Sequence, residues 1–168
     1  MTALKLVAFD EADLNVIAVH LQDAVVRVGD MMFLPAERRF AAVLNRFDWA
    51  AAAASGTKEK GKMLRRRTGI RFEHVEQASV QGVPQHDKDH VLALLTIGFE
   101  AVKPPEPEGH ILLVFSGGAT VRLKVEAIEL ELRDLDAAWG TRHEPKHDRE
   151  TAVATPTGKP PAPASRKG

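Results

Sequence analysis

The stretch 111-ILLVFSGGATVRLKVEAIELELRDL-135 decides the fold class. Its first five residues form an apolar run rich in β-formers, and Gly117-Gly118 supplies the positive φ values that a two-residue hairpin turn requires. With those glycines as the central pair, Val114 faces Val121 and Leu112 faces Leu123 on an apolar face. Phe115 and Leu113 then meet Thr120 and Arg122 on the other face. The returning strand changes phase. Val121, Leu123 and Val125 occupy odd positions, whereas Ile128, Leu130 and Leu132 occupy even ones, so one flat strand would put half of them in water. A bulge or sharp bend at Glu126–Ala127 resolves the conflict, and such bends mark strands that cross between two sheets or close a barrel.

Working upstream, Val91 to Phe99 is a second near-continuous apolar run, separated from the first by a loop with three prolines between Lys103 and Gly109. Both runs are expected to be central strands covered on both faces. Ile70, Phe72 and His74 alternate with Arg71 and Glu73, which predicts a half-buried strand with His74 on its apolar face. Phe40 to Trp49 reads as a longer strand with Val43, Asn45, Phe47 and Trp49 on one face and Ala42, Leu44, Arg46 and Asp48 on the other. Before it, Gly29-Asp30 predicts a turn between a Val25–Val28 segment and a short Met31–Leu34 strand. At the N-terminal side, Leu4 to Phe9 suggests a strand. Asp10 is positioned to cap a helix whose apolar stripe is Leu14, Ile17, Ala18 and Leu21, ending near His20 to Asp23.

These readings give an α+β, mainly antiparallel β fold of six to eight strands with one N-terminal amphipathic helix. The sheet is bent into a barrel or a two-layer sandwich, and a PH-like barrel and a split-barrel-like arrangement both fit the spacing. Residues 1–141 are expected to form a single globular domain. Asp134 to Trp139 could add a helical turn, and residues 142–168, rich in Pro, Ala and Lys, carry no pattern that could bury a core and are expected to be disordered.

Composition narrows the functional classes. In 168 residues the acidic and basic side chains balance at 23 each, so any electrostatic partner must be met by a local patch rather than a global field. The absence of cysteine excludes disulfides, thiol nucleophiles and thiolate metal sites, and fits a reducing, cytoplasmic setting. No apolar run approaches the roughly 20 residues that a membrane helix needs. No nucleotide or cofactor motif stands out.

The local patch is Lys58, Lys60, Lys62, Arg65, Arg66, Arg67 and Arg71. Its arginine forks, with neighbouring Arg46 and Trp49, could take a phosphate or carboxylate from an anionic ligand, an RNA or a protein surface. The bland reading of the same run is a solvated loop followed by a charge-protected edge strand. A chain with no tyrosine and 5% aromatics is poorly equipped to stack bases. The preferred reading is therefore a non-enzymatic binding or regulatory module. The alternative is a small enzyme with a polar pocket of Asp23, Asn45, Asp48 and His74, which requires those side chains to converge. His86 and His90, and likewise His143 and His147, have i, i+4 spacing but fall in connections or the tail, so no metal site is expected. Ser116-Gly117-Gly118 joins two strands and lacks the helix N-terminus of a phosphate loop.

The segments "HLQDAVV", "RFAAVLNRFDW", "RRRTGIRFEHV" and "SGGATVRLKVEAIE" resemble a family of alphaproteobacterial proteins known as domain of unknown function 2948, over about residues 4 to 147. The resemblance implies a stand-alone bacterial protein and no activity, cofactor or catalytic residue.

Overall fold

A computed structural model describes residues 3–48 and 65–135. Nine strands and one α-helix follow in the order β1 (Lys5–Ala8), α1 (Glu11–Leu21), β2 (Val25–Leu34), β3 (Arg39–Phe47), β4 (Arg65–Phe72), β5 (Val75–Gln81), β6 (Val91–Ala101), β7 (Gly109–Phe115), β8 (Thr120–Val125) and β9 (Leu130–Asp134). All neighbours are antiparallel, and the strands form one continuous sheet in the order β1-β9-β4-β3-β2-β6-β7-β8-β5. Its two edges, β1 and β5, stay apart, so the sheet is strongly bent but not a closed barrel.

The phase shift read from the sequence produces that bend. β8 buries Val121, Leu123 and Val125, the chain turns through Glu126 to Glu129, and β9 buries Leu130 and Leu132. Across this corner the chain leaves β7 and β5 and joins β4 and β1. β6 makes the second crossing: Val91 to Ala93 pair with β2, and from Leu94 onward the strand pairs with β7, with a register shift between Leu94 and Thr96. The inward side chains of all nine strands meet in one hydrophobic core.

Helix α1 packs on β6, β1 and β3 through Leu14, Ile17, Ala18 and Leu21, the stripe expected from the spacing. Asp10 caps it, its carboxylate accepting from the Asp13 N–H at 2.8 Å. Replacing Asp10 with Ala is expected to lower unfolding free energy by about 1 kcal/mol, measurable by urea denaturation, because one helix-start donor loses its partner.

Several expectations need correction. Among the described residues nine strands form rather than six to eight, because the segment around Ile70 to His74 does not continue as one strand. His74 adopts a left-handed φ of 61°, ends β4 and starts β5 in a new direction. It is exposed, not in the core, and its Nε2 lies 2.8 Å from Glu129 Oε1. Gly29-Asp30 is not a turn between strands. It lies inside β2, where a register shift between Val26 and Met31 absorbs the irregularity.

The glycine hairpin contains Ser116 as well as Gly117 and Gly118, with the Phe115 N–H bonded to the Ala119 carbonyl at 2.9 Å. That extra residue moves the register by one, pairing Leu113 with Val121 and Ile111 with Leu123. Ile111, Leu113 and Phe115 are consequently buried, while Leu112 and Val114 face outward, half-exposed. β6 and β7 are therefore interior in strand order yet covered on only one face, since among the described residues no second layer lies over Val91 and Leu95, which are exposed. The expectations for Ala50 to Lys62, for the helical turn through Trp139 and for the 142–168 tail lie outside the described residues.

Candidate functional site

Strands β3 and β4 are paired from Phe40↔Phe72 to Phe47↔Arg65, and this register sorts the arginines onto two faces. Even-numbered residues of both strands point into the core. Arg46, Asp48, Arg66 and Thr68 therefore extend the apolar interior of Ala42, Leu44, Ile70 and Phe72 into a polar end.

At the centre of that end is Asp134 of β9. Arg46 grips it in fork geometry, Nε to Oδ1 at 3.0 Å and Nη2 to Oδ2 at 2.9 Å. The Thr68 hydroxyl donates to Oδ1 at 2.9 Å, and the Leu4 backbone N–H donates to Oδ2 at 2.8 Å. Both carboxylate oxygens thus accept two bonds each, which is what a buried charge requires. Burial pushes the Asp134 carboxyl upward, but the bonds from Arg46, Leu4 and Thr68 together outweigh it and hold the group below the ordinary aspartate value. Beside it, Arg66 Nε donates to Asp48 Oδ2 at 2.6 Å.

Arg46 is only 4% exposed, and its guanidinium is spent on Asp134, so it does not join a surface patch as expected from the sequence. Arg66 is likewise turned inward onto Asp48. Trp49, Lys58, Lys60 and Lys62 lie outside the described residues.

The odd-numbered face differs. Arg65 is exposed, with its guanidinium carbon 4.7 Å from the centre of the Phe47 ring. Arg67 stands one pair further along the same face, opposite Asn45. Its Nε and Nη2 are shielded from solvent and find no hydrogen-bond partner among the described residues. A shielded guanidinium with unmatched donors is an unusual expense, because each unsatisfied charged donor costs its desolvation. By contrast, Arg71 at the far end of β4 is fully engaged, with Glu73 at 3.0 Å and Glu131 at 2.6 Å. The sequence run of three arginines therefore resolves into one that holds the core and two that face outward. Only the alternation of strand faces could have separated them.

The pocket of Asp23, Asn45, Asp48 and His74 does not assemble. Asn45 and Asp48 point to opposite faces of β3. His74 follows the Phe72 end of β4, while Asn45 pairs at the Arg67 end. Asp23 sits in the α1–β2 connection with a φ of 69°. Among the described residues no group of three or more His, Asp or Glu could hold a metal ion, and His86 and His90 flank an exposed loop in which Asp89 meets Arg27 at 3.6 Å. No helix among the described residues is long and apolar enough to cross a membrane.

Neither the curated proteins nor the solved structures contain a match to this chain. A family model does match, over residues 4–147, a span that takes in every described strand from β1 to β9. The chain belongs to the family described as "Protein of unknown function (DUF2948)".

Proposed function

We propose that the protein is a non-enzymatic binding or regulatory module that takes an anionic partner on the outer face of the β3–β4 pair, through Arg65 and Arg67. The observation that carries this reading is the Arg67 guanidinium, two of whose nitrogens have no hydrogen-bond partner among the described residues. A bound carboxylate or phosphate would supply the missing acceptors once the Arg67 guanidinium, shielded in the free chain, turns outward to meet it. Phe47 holds Arg65 beside it, reducing the side-chain entropy that binding must cost. A cysteine-free chain suits a bacterial cytoplasm as the setting.

Among anionic partners, an acidic protein surface is favoured over RNA. The row across the sheet runs Ala93, Val25, Asn45, Arg67, and the Phe47 ring on this face is already covered by the Arg65 guanidinium. Aliphatic neighbours can bury apolar groups of a peptide, whereas base stacking needs rings.

The test is fluorescence anisotropy with a labelled acidic peptide and a labelled single-stranded RNA of equal charge, at low and high salt. Binding of the peptide is expected to weaken as salt rises, and to fall about tenfold or more when Arg65 and Arg67 are both changed to Ala, since charge-assisted bonds of about 1.5–3 kcal/mol each are lost. Equal affinity for RNA would move the reading to a phosphate partner. Binding that ignores both salt and the double substitution would remove it.

A further inference from the structure

The two edges of the sheet are built differently. β1 is four residues long, carries Lys5, and leads directly into α1, which packs against it. Short length, a lysine and a covering helix are the usual means of blunting an edge. β5 has none of these. It runs seven residues as VEQASVQ, with no lysine and no proline, and its one charged side chain, Glu76, already meets Lys124 and Arg38, each at 3.7 Å. One face of the ladder is satisfied by β8. On the other side, among the described residues, only the Val75 N–H finds a backbone acceptor, the Arg38 carbonyl at 2.9 Å. From Gln77 to Gln81 the outer edge presents unpaired peptide groups.

That edge is complementary to itself. About a two-fold axis through Ser79 in antiparallel pairing, Gln77 falls opposite Gln81, Ala78 opposite Val80, and Ser79 opposite its own copy. Side-chain alternation keeps each pair on one face. Pairing with β8 shows that Ala78 and Val80 face Leu123 and Val121 on the core side, while Gln77, Ser79 and Gln81 face Lys124, Arg122 and Thr120 on the outer side. The Ala78–Val80 pairs would join the two cores and cover Val80, which is 37% exposed in the single chain. The glutamine amides can donate and accept across the outer face. Glu76 falls opposite Gly82, so no like charges meet. An uncharged, two-fold-compatible strand is poorly suited to select a charged foreign partner and well suited to a second copy of itself.

We infer that β5 is an interaction surface for a second copy of this chain, pairing antiparallel through Gln77 to Gln81 so that the two sheets become one. The surface is separate from Arg65 and Arg67, so neither proposal stands or falls with the other.

The full 168-residue chain is expected to show a dimer mass in sedimentation equilibrium over a concentration series. Ser79→Lys and Ser79→Glu, both at an exposed outer position, are each expected to weaken that dimer by about tenfold or more by setting like charges face to face. Mixing the two variants is expected to restore dimers as a heterodimer. Because the chain lacks cysteine, Ser79→Cys introduces the only thiol, and oxidation in dilute solution is expected to give a covalent dimer, while Ser116→Cys in the β7–β8 turn is not. A monomer at every concentration, or a dimer indifferent to both charges and uncoupled from Ser79→Cys, would overturn the assignment.

Discussion

Changing Asp134 to Ala is expected to cost about 3–5 kcal/mol of unfolding free energy at neutral pH, the range for breaking a buried ion pair by removing one partner. The carboxylate is the shared acceptor of Arg46, Thr68 and the Leu4 N–H. Without it, a guanidinium that is almost fully buried loses both fork bonds and cannot reach water. Adding Arg46→Met to the same chain is expected to recover part of the loss, since it removes the stranded charge, but not all, because Thr68 and Leu4 still lack their acceptor. A double-mutant cycle by urea denaturation reads both values. The interaction also has a pH signature. Asp134 has a folded pKa depressed below its unfolded value, so its contribution is fully present above the ordinary aspartate range of about pH 4, and fades as pH falls through the depressed value. The gap between the parent chain and Asp134→Asn is therefore expected to narrow on acidification. A gap that stayed constant down through that range would show that charge pairing is not what Asp134 supplies.

Phe72→Ala is expected to cost a similar amount, about 3–5 kcal/mol, through an unrelated mechanism, the loss of transfer energy plus a cavity. Phe72 is fully buried at the apolar end of β4, where its ring lies 6.3 Å from Phe40, tilted at 49°, and its backbone pairs with Phe40 on one side and Leu130 on the other. The site is surrounded by strands that are hydrogen-bonded along their length, so collapse into the space is limited. Phe72→Leu, which keeps most of the volume, is expected to cost markedly less, and the two can be compared by thermal and urea denaturation. Equal losses for Ala and Leu would point to the ring contact with Phe40, rather than the cavity, as the source.

The readable parts of this fold were those whose cause is local. The Asp10 cap with the Leu14, Ile17, Ala18, Leu21 stripe is written within a dozen residues, and α1 formed as the spacing required. The odd-to-even change between Val125 and Ile128 likewise announced the corner at which the chain passes from β8 to β9. Misread features depended on one residue more or less, or on partners far away. Ser116 enters the turn and shifts the β7–β8 register, which exchanges the buried and outward faces of β7 while β8 keeps Val121 and Leu123 inside. His74 leaves the β region and splits one expected strand into two. Arg46 and Asp134 are 88 residues apart, so nothing near either one indicates that a basic residue beside the arginine run is already neutralised inside the core. Arg65 and Arg67 were identifiable as basic and surface-directed; that Arg67 would be left without acceptors depends on three adjacent strands and has no trace in composition.

Strand β1 closes the architecture by pairing with β9, setting Lys5 beside Arg133 and Leu6 beside Leu132. Stitching the first strand to the last leaves this polypeptide without a self-sufficient N-terminal half during synthesis. Until β9 emerges from the ribosome, β1 has no neighbour, β4 exposes a bare flank and Arg46 lacks its counter-charge. Completion of the fold must therefore wait until nearly all of these strands are translated, and the incomplete chain passes through that interval with strand edges uncovered.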